Sequence, residues 1–156
     1  MKRLFFTLVI IIFSTVSFAQ QTPKQIKDIL KNLERSEEVD DNFYDTAYIC
    51  LENQIKISTG VNRAIWHSCM AEFLGAYLRQ NQYSILQRTA VAGDKNPDFK
   101  TWDIQLLVKE IINHYLKSLE NKDLLQKTDI KVYKILLDDT SRSIEYRPTV
   151  YDFLAF

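Results

Sequence analysis

The chain has 156 residues, 20 basic and 20 acidic side chains and 46% apolar residues, with only three glycines, three prolines and two cysteines. Balanced, interspersed charge excludes the concentrated basic face that a nucleic-acid partner requires. So few turn-forming residues exclude a turn-rich β-sandwich and so apolar a background excludes disorder, which leaves an all-α domain as the expected class.

Lys2 and Arg3 precede an uncharged run of 13 residues from Leu4 to Val16, and Ser17 and Ala19 then supply small side chains. This pattern predicts a secretory signal peptide over residues 1–19: the apolar run fits an h-region and falls short of the roughly 20 residues that span a bilayer. Cleavage after Ala19 leaves 137 residues with 18 basic and 20 acidic side chains. No membrane span is expected after cleavage, and the product is expected to be periplasmic or secreted, with outer-membrane association open. A mature chain of this length forms one domain, placed at 20–147, and is large enough to bury a real core.

Thr22 and Pro23 form an N-cap and a first-turn proline, and Ile26, Ile29, Leu30 and Leu33 recur at helical spacing, predicting a helix from Pro23 to Ser36. Asp41 or Asn42 caps a second helix that carries Phe43, Ala47, Tyr48, Leu51 and Ile55 and stops near Ser58, Thr59 and Gly60. A third follows from Asn62 to about Tyr83 with Ile65, Cys69, Phe73, Ala76 and Tyr77 on one face, so that the second and third make a hairpin. Periodicity fails near residues 87–100, where Gly93, Asp94, Asn96 and Pro97 predict a long exposed loop. Thr101 is the expected N-cap of the strongest helix, whose stripe runs through Ile104, Leu107, Val108, Ile111, Ile112, Tyr115, Leu116 and Leu119 to a stop at Asn121. That stripe is expected to be covered by neighbouring helices in a stack of antiparallel pairs, a tetratricopeptide-like helical array, although no 34-residue repeat is visible. A short helix from Ile130 to Leu136 completes it. Thr149 then caps an apolar start through Val150, Tyr151, Phe153, Leu154 and Phe156, so residues 148–156 are expected to begin a helix that belongs to a longer chain; a short helix packed on the core is the alternative.

The residues that carry chemistry are few. His67 and His114 are the only histidines, and neither has a carboxylate or cysteine at ligand spacing, so His67 is read as a partly buried packing residue and His114 as a surface residue. No metal and no cofactor is implied. Cys50 and Cys69 fall on the two helices of the hairpin, where a disulfide closing about 20 residues would add roughly 3 kcal/mol in an oxidising compartment; a pair of buried free thiols is the equal alternative. The run Cys50 to Gln54 resembles a thioester motif only superficially, because its glutamine comes four residues after the cysteine instead of three. No nucleophile elbow, phosphate loop or zinc-protease pattern occurs, so an enzyme is not expected. Most aromatics sit at helical spacing and read as core. Phe99 and Trp102, beside the long loop, are the candidates for a partner contact.

The segment RAIWHSCMAE at 63–72 and the segment NQYSILQRT at 81–89 resemble the N-terminal region of the large alpha-2-macroglobulin-like proteins of Bacteroidetes. DFKTW at 98–102, HYLKSL at 114–119, LLQKT at 124–128 and YRPTVYDFLA at 146–155 are similar to successive landmarks of the same region, extending the resemblance from Arg63 to Ala155. In that family a helical region precedes an array of β-sandwich domains, and the whole protein traps proteases in or near the periplasm. The resemblance implies an exported, non-catalytic module with a scaffold or docking role, whose partner is the remainder of such a chain or a periplasmic protein. It transfers no functional residue. A free-standing periplasmic helical-repeat adaptor that binds a protein or peptide is the alternative.

Overall fold

A computed structural model describes residues 20–37, 42–88, 96–137 and 141–155. The expected signal peptide, the middle of the connection after the first helix, the centre of the 87–100 loop and Phe156 lie outside the described residues. Within them the chain forms α1 (Pro23–Glu37), α2 (Phe43–Ile57), α3 (Gly60–Leu86), α4 (Ile104–Leu119), α5 (Lys122–Lys127), α6 (Ser141–Tyr146) and α7 (Val150–Ala155), with 3₁₀ turns at Phe99–Thr101 and Ile130–Leu136. No extended strand occurs among the described residues; Asp129 and Thr149 make an isolated antiparallel bridge.

Local chemistry accounts for several helix ends. Thr22 caps α1 in a reciprocal box: its Oγ1 accepts the Gln25 N–H at 3.3 Å, and the Gln25 side chain accepts the Thr22 N–H at 2.8 Å. Thr149 and Asp152 repeat the arrangement at α7, with the Asp152 N–H on Thr149 Oγ1 at 3.2 Å. Between α2 and α3 the chain reverses through Ser58, Thr59 and Gly60. Gly60 takes φ +57°, a left-handed conformation that costs glycine nothing and strains any other residue.

The boundaries that depart most from the sequence expectation are the start of α4 and the end of α3. The cap of α4 is Asp103, whose carboxylate accepts the Leu106 N–H at 2.8 Å, and not Thr101. Thr101 is occupied one turn earlier, donating its hydroxyl to the Asp98 carbonyl at 2.7 Å inside the 3₁₀ turn. Helix α3 also runs past Tyr83 to Leu86 across a kink at Asn81. There the Asn81 side-chain amide donates to the Tyr77 carbonyl at 3.0 Å, competing with the backbone ladder, and the bend returns Ile85 to the core.

Helix α3 is the axis of the fold: Trp66, Met70, Ala71 and Leu74 are fully buried along it. Helix α2 lies antiparallel to it, since Arg63 donates to the Ile55 carbonyl near the turn and Tyr44 meets Tyr77 at the far end. Helix α4 lies antiparallel on another side: Arg88, just past the end of α3, donates to the Trp102 carbonyl ahead of α4, and Arg63 near the start of α3 shares a cleft with Lys117 and Glu120 at the far end of α4, while His114 meets His67 and Tyr115 donates to Glu72 in between. Helix α1 rests on the 130–136 turn, and that turn with α5, α6 and α7 closes the remaining side, where the sequence predicted a short helix at 130–136 and the start of another at 148–156. Two backbone bonds, Ile130 N–H to Pro148 O and Val150 N–H to Thr128 O, both 3.0 Å, strap α7 to the end of α5.

Gln21 ties the N-terminal segment into this frame. Its side-chain oxygen accepts Trp66 Nε1–H at 2.9 Å and the Ser58 hydroxyl at 3.2 Å, its amide donates to Gln54 at 2.6 Å, and its backbone carbonyl accepts the Asn62 amide at 2.6 Å.

Candidate functional site

Phe99 and Trp102, the expected partner contacts, are core residues at 2% exposure each. Phe99 stacks on Tyr48 with ring centroids 4.7 Å apart and meets Tyr77, Phe73 and Trp102 edge-on. The segment that carries them is clamped from both sides. Arg88 donates to the Trp102 carbonyl at 2.7 Å, Trp102 Nε1–H donates to the Asn96 carbonyl at 2.6 Å, and Lys100 reaches Asp45 on α2 at 2.6 Å. The aromatics turn inward because a 3₁₀ turn, which the failed periodicity concealed, brings residues three apart onto one side. They are therefore not an exposed docking surface.

Cys50 and Cys69 are both free, so the disulfide open in the sequence is not formed. Burial pushes the Cys69 thiol up to about 12 and raises the Cys50 thiol as well, so neither is poised as a nucleophile. Cys69 helps to line an apolar cavity of about 150 Å³ between Leu30 of α1, Ile65 of α3, Tyr133 and Phe153. An aromatic disulfide reagent at pH 8 should therefore modify Cys50 first and Cys69 only slowly in the folded chain. Finding no reactive thiol under denaturing, non-reducing conditions would mean instead that the pair is oxidised.

The two histidines, far apart in sequence, come together. His67 on α3 is 8% exposed and its Nδ1 lies 2.9 Å from Nδ1 of His114 on α4. His114 is half-buried, which corrects its reading as a simple surface residue. The ring centroids are 5.1 Å apart, close to the largest separation that such a nitrogen contact permits, so each ring points its Nδ1 almost straight at the other. That is hydrogen-bond geometry. A chelated ion would need both lone pairs to converge on a point about 2.0–2.1 Å from each nitrogen. Among the described residues no group of three or more His, Cys, Asp or Glu is placed to hold a metal. His67 also borders a polar cleft of about 450 Å³ lined by Arg63, Lys117, Glu120 and Asn121. Burial first, and then His114, Lys117 and Arg63, lower the His67 pKa to about 4, so at neutral pH its imidazole is uncharged.

A second feature escaped the sequence reading. The stripe on α4 is not wholly covered: Leu107 is fully buried against α3, whereas Val108, Ile112 and Leu116 are 38%, 52% and 64% exposed. Their spacing of four residues places them on one face, and the eight apolar positions together sweep too wide an arc for α3 and the pieces beside it to cover. The signal was present in the pairs Leu107–Val108 and Ile111–Ile112, because adjacent residues on a helix point about 100° apart.

The fold and these sites define a mostly helical protein with a paired-histidine contact in its interior and one helix apolar on two faces. No protein-family model, curated protein or solved structure matches this chain. Among the described residues no helix is long and apolar enough to cross a membrane.

Proposed function

We propose that this chain is an exported, non-catalytic helical docking module and that it corresponds to the N-terminal region of an alpha-2-macroglobulin-like, protease-trapping protein. The single observation that carries the docking role is the open face of α4. Three aliphatic residues in line on a helix already anchored by its opposite face form a surface that gains free energy when a partner covers it, at roughly 25 cal/mol per Å² of apolar area. The partner in this reading is a protein, either the remainder of the macroglobulin-like chain or a periplasmic component; no cofactor or nucleic acid takes part. The family assignment rests on the resemblance from Arg63 to Ala155. Its landmarks fall on residues with packing and capping work: Trp66 and Met70 at the centre of α3, Phe99 and Trp102 in the aromatic cluster, Thr149 and Asp152 at the start of α7. Placement in the periplasm or outside the cell follows from the signal-peptide pattern of residues 1–19.

The antiparallel succession of α2, α3 and α4 favours a second reading, in which a free-standing periplasmic adaptor with tetratricopeptide-like stacking receives a peptide between its helices.

Both readings meet in one experiment. Ile112→Glu combined with Leu116→Glu should leave thermal stability within about 0.5 kcal/mol, because both positions are exposed. It should weaken association with macroglobulin-like domains from the producing organism at least tenfold. Equal binding by wild type and variant would remove α4 as the docking surface. Inhibition of a protease by the chain alone would overturn the non-catalytic scaffold role, and capture of a short peptide in place of those domains would favour the adaptor.

A further inference from the structure

We propose that the His67–His114 contact is an acid-sensitive latch, which fastens α3 to α4 while the two imidazoles are neutral and releases them when both take up protons. The geometry permits one arrangement only: one Nδ1 carries a hydrogen and the other accepts it across 2.9 Å. A first added proton keeps one donor in the pair and a lone pair opposite it. A second removes the acceptor, and two N–H groups then oppose each other between like charges.

The surroundings set the response. The charged groups facing His67 are Arg63 from one turn earlier on α3, Lys117 from α4 and Glu120 from the turn after α4. From α2 only apolar Ile55 reaches the same cleft, and Asn121 at the start of α5 is uncharged. Two cations against one carboxylate, around a ring that is 8% exposed, disfavour the imidazolium. The lowered His67 pKa of about 4 agrees with this arrangement.

The sign follows from linkage. The unfolded chain binds a proton at His67 near pH 6.5 and the folded chain only near pH 4, so the unfolded state holds more protons in between. Stability attributable to His67 in this contact is fully present above about pH 6.5, falls as pH drops, and levels off below about pH 4. Helix α4 is joined to α3 by this contact along its buried face, and Tyr115 to Glu72 is the neighbouring polar link.

The test uses the full chain in two ways. Imidazole resonances followed by NMR from pH 8 to 3.5 should show His67 remaining neutral to about pH 4, with the His114 signal responding to the same proton uptake. Urea unfolding at pH 7 and pH 4 should show a folded-to-unfolded ratio that falls on the order of a hundredfold more in wild type than in His67→Leu/His114→Leu, where carboxylate titration is shared and the pair is gone. Two histidines titrating independently near pH 6.5 would overturn the latch, and so would identical pH profiles for wild type and the double variant. If the double variant does not fold, the NMR titration of the wild-type chain decides alone.

Discussion

Replacing Phe99 with alanine should destabilise the protein by about 3–5 kcal/mol, which lowers the thermal midpoint by on the order of 10 °C. Phe99 is 2% exposed and touches four other rings, with Tyr48 stacked at an interplanar angle of 17° and Tyr77 and Phe73 edge-on. Truncation removes the burial of a whole ring, the favourable quadrupole geometry of these pairs and the support under Trp102 at once. The surrounding cluster draws on α2, α3 and the 99–101 turn, so the cavity has three independent walls and cannot collapse cheaply. Equilibrium unfolding in urea, followed by circular dichroism, measures the loss. A change below about 1 kcal/mol would show that the ring is not part of a packed core and would return Phe99 to the role of an exposed contact.

Asn62→Leu should cost about 2–4 kcal/mol although leucine fits the volume and suits a helix better. Asn62 is 1% exposed, donates to the Gln21 carbonyl at 2.6 Å and accepts the Tyr133 hydroxyl at 2.9 Å. Leucine leaves both groups desolvated without a partner, and that penalty exceeds the net worth of the bonds themselves. Tyr133→Phe should cost about 1–2 kcal/mol in the wild type and much less beside Asn62→Leu, because the orphaned hydroxyl is then gone. Strict additivity in the double-mutant cycle would mean that the Asn62–Tyr133 bond contributes nothing. This bond spans 71 residues of sequence and joins α3 to the 130–136 turn, so it reports on the closure of the C-terminal pieces over the core.

Both substitutions lie where the sequence was least informative, and the reason is shared. Helix capping, the α2–α3 reversal and the short segment at 130–136 depend on residues within one or two turns of each other, so Thr22, Gly60 and the Ile130–Leu136 pattern were legible. Asp103 lost to Thr101 as the expected cap because both are good capping residues two positions apart. Only the 3₁₀ turn, which takes the Thr101 hydroxyl for itself, decides between them. Helices α5 and α6, six residues each, carry too little periodicity to be distinguished from a connection.

Side-chain direction relative to distant elements was beyond reach. A histidine at 67 and another at 114 show no relation in sequence; their separation in space depends on how α4 is rotated about its axis against α3. The same rotation sets which half of the α4 stripe is buried, and it exposes Val108, Ile112 and Leu116.

By itself, then, the sequence determined the helical class and the approximate places of the long helices, since backbone propensity, capping and apolar period are local quantities. Tertiary structure alone decided that Phe99 and Trp102 turn inward, that Cys50 and Cys69 remain separate thiols, that the two imidazoles meet and that one face of α4 stays open. Those outcomes depend on the mutual rotation and register of elements far apart in the chain, which are set by the packing of the whole core.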